Sequence, residues 1–252
     1  MIGLVRKATL LGACGTLMAS VAVAAEPDAA FSTVPKYIIA SGVRTTTDST
    51  PDGGSAITIV VRDVIGNPIV GSKVELNYTL CNDTKLCTAV ISGIEVDCSS
   101  PNRVVRAQTG LGGLLTLSIL GASNHTGAVP PLQFPGAGAD CITIYAYGVP
   151  PTGPVLLGHA TSVIYDLDGA RDFPANNGLK GADLSYVVND IGTSPYNPYV
   201  GRTDYSGDGK VDGADVSYLI PALGRAAAGL GSGGGCWGTG PLGTNTAQPY
   251  CP

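Results

Sequence analysis

The sequence predicts a mainly β protein with a small α domain near its C-terminus. Three observations carry that reading. Between residues 35 and 165, short β-branched runs alternate apolar with polar residues, the period-2 signature of half-buried strands. The chain has 36 Gly and 18 Pro among 252 residues, so turns are frequent and long helices have little room. Beyond residue 166, an acidic loop followed by an apolar segment at helical spacing occurs twice.

The expected strands run over 36–40, 56–62, 72–79, 103–108, 113–120, 142–147 and 159–165. The segment 56–62 is β-branched and alternating, and 63–68 reads as a turn. The segment 72–79 alternates most cleanly, placing Val74 and Leu76 on one face and Lys73 and Glu75 on the other. Seven strands separated by turn signals predict a β-sandwich. The stretch between Cys81 and Asn102 reads as an inserted loop that contains Glu95.

Two motifs in this region carry a resemblance. Residues 61–75 read V-R-D-x-x-G-N-P-I-x-G-x-x-V-E, and 109–116 read T-G-x-x-G-x-x-T. Together they resemble bacterial immunoglobulin-like modules of the invasin type across residues 36–166. The resemblance implies an immunoglobulin-like sandwich in which the end of strand 72–79 lies beside the start of strand 142–147. That adjacency implies a Cys81–Cys141 disulfide.

The N-terminus reads as an export leader. Arg6 and Lys7 precede an apolar, small-residue run from 8 to 25, and Val-Ala-Val-Ala-Ala before Glu26 suits a leader peptidase. Cleavage is expected near Ala24 or Ala25, making residues 1–25 a signal peptide. The competing readings are a marginal membrane anchor and a weak lipoprotein pattern at Cys14. Leader removal predicts a secreted or cell-surface protein with no remaining membrane span. It also leaves six cysteines, an even number suited to disulfides in an exported chain. Fifteen pairings are possible. The preferred set adds Cys87–Cys98, closing the inserted loop, and Cys236–Cys251, closing a Gly-rich tail over 227–252. No C-x-x-C pair is present and the two histidines lie apart, which argues against zinc.

Charged residues make up 13% of the chain and the net charge is −5. An acidic chain without basic clusters is a poor nucleic-acid binder. A search for catalytic groups finds no G-x-S-x-G elbow and no evident base and orienting acid beside a nucleophile. The expectation is a non-catalytic protein.

The most informative stretch is 204–215. Asp204, Ser206, Asp208, Asp212 and Asp215 stand at loop positions 1, 3, 5, 9 and 12, with Gly209 at the sharp bend and Lys210 offering its carbonyl at position 7. That oxygen spacing is the one calcium needs, because a hard cation takes six to eight oxygens from one turn. The segment G-L-K-G-A-D-L-S-Y-V from Gly178 to Val187 matches K-V-D-G-A-D-V-S-Y-L from Lys210 to Leu219, an offset of 32 residues. Counting back from Asp183, the first copy offers Asp172, Asn176 and the carbonyl of Gly178, but places Pro174 and Lys180 at liganding positions. A second alignment uses Asp166 and Asp168 instead. Weaker calcium binding is expected at this copy under either alignment.

Two loops of the form D-x-[DNS]-x-D-G-x-V-x-x-x-D, each leading into an apolar segment, resemble a type I dockerin over residues 166–226. The resemblance implies a Ca2+ cofactor and loop–helix units with helices near 182–191 and 214–223. Leu184, Val187 and Val188, then Val216, Leu219 and Ile220, recur at helical spacing. Pro221 is expected to kink or end the second helix. The resemblance also implies that loop positions 10 and 11, here Gly181-Ala182 and Gly213-Ala214, choose a cohesin-like partner in either of two symmetric orientations. Three functions are therefore expected in competition. One is a secreted docking or capping protein. The second is a surface adhesin with calcium as a structural clasp. The third is a component of polysaccharide catabolism with carbohydrate-active chemistry.

Overall fold

Strands dominate the molecule. The computed structural model describes residues 25–40, 43–44, 49–50, 56–81, 84–86, 93–99, 103–119, 121–123, 140–165, 181–192, 203–206, 208 and 210–227. In chain order the strands are β1 (Tyr37–Ala40), β2 (Val43–Arg44), β3 (Ser49–Thr50), β4 (Ile57–Val60), β5 (Lys73–Asn77), β6 (Thr84–Leu86) and β7 (Glu95–Asp97). They continue with β8 (Val104–Gln108), β9 (Leu114–Leu117), β10 (Gly121–Ser123), β11 (Ile142–Tyr147) and β12 (Pro154–Ile164). Two helices follow, α1 (Gly181–Asp190) and α2 (Gly213–Ala227).

Six strands form one sheet in the order β1-β12-β11-β5-β8-β7. β1 runs parallel to β12, with Ile39 beside Val163, and the other pairings are antiparallel. The alternation in β5 places Val74 and Leu76 in the core and Lys73 and Glu75 on the outer face. A β4–β9 ribbon pairs Ile57 with Leu117 and Ile59 with Leu115. These four side chains pack with Leu76, Val105, Ile142 and Ile144 in one apolar core, so the ribbon forms a second layer over the sheet. The close approach of the chain entering β9 to the end of β4 depends on Gly113, which has φ +67° and whose added Cβ would sit 2.4 Å from the Val61 carbonyl oxygen. Only glycine fits there.

The register that sets Thr143 against Asn77 brings Cys81 and Cys141 together. They form a disulfide with S–S 2.01 Å and Cα–Cα 5.0 Å, and both are buried. Cys98 is also disulfide-bonded. Cys87, Cys236 and Cys251 lie outside the described residues, as do residues 1–24 and 228–252.

Four sequence expectations need correction. The stretch after Cys81 is not a plain inserted loop: it contributes β6, paired with β10, and β7, which extends the sheet beyond β8. His159 does not open its strand; β12 begins at Pro154 and pairs from there with Tyr147. Proline is tolerated at a strand's first residue, and the Pro/Gly-rich lead-in masked the apolar Val155-Leu156-Leu157 that follows. Both helices start one residue earlier than expected. Finally, α2 does not end at Pro221 but continues to Ala227. Pro221 and Ser217 are both exposed, and the bond that Pro221 cannot donate would have gone to the Ser217 carbonyl, on a side of the helix open to water.

β1 is buried on both faces. Ile38 and Ala40 belong to the main apolar core, whereas Ile39 joins a second cluster with Val163, Tyr165, Val187, Tyr205, Val211 and Leu219. The loop and helices therefore share a core with the β1–β12 edge of the sheet.

Candidate metal centre

The acidic loop is organised by its own carboxylates. Asp212 caps α2: its Oδ1 accepts the Ala214 N–H at 2.7 Å, satisfying a donor that the first helical turn leaves free. Asp215, in the first turn of the helix, is fully buried. Its Oδ1 accepts the Ser206 N–H and its Oδ2 the Asp212 N–H, each at 2.8 Å. One carboxylate thus ties loop positions 3 and 9 to position 12. The Ser206 hydroxyl donates to Asp204 Oδ1 at 3.2 Å, and the Lys210 N–H donates to Asp208 Oδ1 at 2.9 Å.

Burial divides these residues. Asp204 and Asp215 have no exposed surface, Ser206 is half-buried, and Asp208, Lys210 and Asp212 are exposed. Gly209 lies outside the described residues. Every donor offered is oxygen, which suits a hard divalent cation and not zinc. Two buried carboxylates in one loop concentrate negative charge where solvent cannot screen it, and a buried charge needs a compensating partner. Among the described residues, no Lys or Arg forms a salt bridge with Asp215. On donor chemistry and charge the loop fits calcium. Among the described residues no three His, Cys, Asp or Glu side chains form a metal-holding group.

Neighbouring elements hold the loop in place. The Thr203 hydroxyl donates to Asp190 Oδ2 at 2.9 Å, and the Gly192 N–H donates to the Val211 carbonyl at 3.0 Å. Both bonds fasten the end of α1 to the loop that precedes α2. Asp183 sits fully buried in the first turn of α1, matching Asp215 in α2. The rest of the first copy, Asp166, Asp168, Asp172, Asn176 and Gly178, lies outside the described residues. Gly181, Ala182, Gly213 and Ala214 are all exposed at the N-terminal ends of the two helices.

Sequence reasoning missed the contribution of β1 and β12. Tyr37 hydrogen-bonds to Asp204; burial first, then the Asp204 charge and that bond, push the phenol above its ordinary range. Tyr165, just past β12, meets Tyr205 at loop position 2. The signal was present in residues 37–40, an unbroken apolar run, Tyr-Ile-Ile-Ala, which implies a strand covered on both faces.

A second charged cluster lies on the outer sheet face. Arg106 donates through Nε to Glu75 at 2.9 Å and through Nη1 to Glu95 at 3.2 Å and Asp97 at 3.0 Å. Glu75 and Glu95 are thereby engaged with one guanidinium, whose proton the arrangement holds more tightly than usual. Lys73 lies 3.8 Å over the Tyr147 ring. Comparison of the chain with family models, with curated proteins and with solved structures found no match.

Proposed function

We propose that this is a secreted, non-catalytic protein whose dockerin-like loop–helix unit binds calcium at 204–215 and, so organised, caps the open edge of an immunoglobulin-like β-sandwich. The observation that carries the reading is the pair of fully buried carboxylates, Asp204 and Asp215, inside a loop whose Tyr205 and Val211 belong to the same apolar cluster as Ile39 and Val163. Calcium would supply positive charge beside these two buried carboxylates. Asp204, Ser206, Asp208, Asp212 and Asp215, with the Lys210 carbonyl, are the groups that would hold it.

The chain's own residues do the rest. Asp215 fixes the loop to the helix, Asp212 starts the helix, and the helix presents Val216 and Leu219 to the β1–β12 edge. Capping matters because β1 is the terminal strand of its sheet. An uncovered apolar edge strand invites unwanted pairing.

The test is thermal melting of the mature chain with calcium and with a chelator. Binding to the folded form alone raises stability by RT ln(1 + [L]/Kd), about 2.7 kcal/mol at a hundredfold excess over Kd. The melting temperature should rise with calcium and fall with chelator, and the β-sheet signal should move with it. A calcium-insensitive melt contradicts the reading.

One observation favours an additional docking role. Gly181-Ala182 and Gly213-Ala214 are exposed, and so are Val188, Tyr218 and Ile220 on the same two helices and Ile191 just past α1. Calcium-dependent capture by a cohesin panel, abolished by chelator, would support docking; no capture leaves the clasp role alone.

A further inference from the structure

The sequence leaves two bonds open for removal of the leader. Ala22-Val23-Ala24 and Val23-Ala24-Ala25 both place small residues where a leader peptidase needs them. The fold distinguishes the two bonds. The Ala25 N–H donates to the Val149 carbonyl at 3.1 Å, and the Val149 N–H donates to the Ala25 carbonyl at 3.0 Å. This antiparallel bridge is the first of several: Pro27 pairs with Asp63, the Asp28 N–H donates to the Arg62 carbonyl at 2.8 Å, and Thr33 pairs with Val60. Ala25 also packs against the main apolar core.

The seat for Ala25 is shaped by a glycine. A Cβ at Gly148 would lie 2.8 Å from the Ala25 carbonyl oxygen and 2.5 Å from Thr152 Oγ1. The Gly148 N–H instead donates to Thr152 Oγ1 at 3.1 Å, which holds the 148–152 turn under Ala25. Residue 25 therefore belongs to the folded body. A cut after it would strip Val149 of both partners.

We propose that the chain is cut between Ala24 and Ala25, and that Ala25 is the first residue of the mature protein. The inference rests on reading the preceding segment as an export leader and is independent of calcium. Hydrolysis adds water across the Ala24–Ala25 amide. Ala24 leaves as a carboxylate, and the amine retained on Ala25 takes up a proton at neutral pH, its pKa in unperturbed chains being about 7.7–8.0. The ammonium keeps an N–H for the Val149 carbonyl and makes that hydrogen bond charge-assisted.

The experiment expresses the full chain in an exporting bacterial host and reads the N-terminus of the recovered protein by intact mass and sequencing. The expected start is Ala25. A start at Glu26 overturns the placement of the cut while keeping the leader; an intact Met1 terminus overturns the leader reading itself. A second arm compares two chains released from a cleavable fusion, one beginning at Ala25 and one at Glu26. Loss of the Val149 bridge should lower the melting temperature of the shorter chain by about 2–4 °C. Equal melting of the two chains contradicts a structural role for Ala25.

Discussion

The ring of Tyr205 stands edge-on to the ring of Tyr165, with centroids 4.9 Å apart and planes inclined at 68°. Tyr205 is the second residue of the acidic loop and Tyr165 follows β12, so one aromatic contact joins the sheet to the loop. Both rings are buried, and edge-to-face pairs of this kind add about 0.5–1.5 kcal/mol beyond area burial.

Tyr205→Ala should therefore destabilise the whole protein and not the loop alone. Removing a buried aromatic of this size costs about 3–5 kcal/mol. Chemical denaturation should show that loss in the β-sheet signal. A double-mutant cycle with Tyr165→Ala should return a coupling of about 0.5–1.5 kcal/mol. Additive effects would mean that the contact does not join the two parts.

The Cys81–Cys141 bond spans 60 residues of chain. Cross-links that close long loops restrict the unfolded chain, a stabilisation of about 2–4 kcal/mol. The double variant Cys81→Ser, Cys141→Ser should lose about that much in denaturant unfolding, and reductant should then have less effect on it than on the parent. Unchanged stability would show that the bond holds nothing the core does not already hold.

Asp97 gives a pH prediction. Its carboxylate accepts the Ser99 hydroxyl at 2.7 Å and the Ser99 N–H at 3.0 Å, and Arg106 adds a third bond and its charge. These hold its pKa down to about 2 from an ordinary 3.8. A folded pKa below the unfolded one contributes stability that is present above about pH 4 and is lost as pH falls toward 2. Asp97→Asn should be less stable than the parent at pH 7, and the two should converge near pH 2. Parallel stability curves across that range would refute the assignment.

Parts of this fold could be read directly. Strict alternation in 72–79 and 142–147 corresponds to β5 and β11, where neighbouring strands leave one face buried and the other polar. The start of β12 was hidden, because Pro154 and the glycines around it signal a turn while cross-strand pairing with β11 overrides them. β6 and β7 are three residues each, too short for any periodicity to register. In the candidate centre, the spacing of oxygens from Asp204 to Asp215 was readable because ligand order is local. The role of Tyr37 was not, since it reaches Asp204 across more than 160 residues of chain. Long-range contacts of that kind depend on register, which composition and spacing do not encode.

Calorimetric titration of calcium into chelator-stripped mature protein tests most directly whether the loop from Asp204 to Asp215 holds an ion. The parent should bind at least one calcium with saturable heat, and Asp208→Ala, an exposed position outside the apolar cluster, should fold normally yet lose most of that heat. A flat titration of well-folded parent protein, or a calcium response that survives Asp208→Ala unchanged, would contradict calcium binding by that loop.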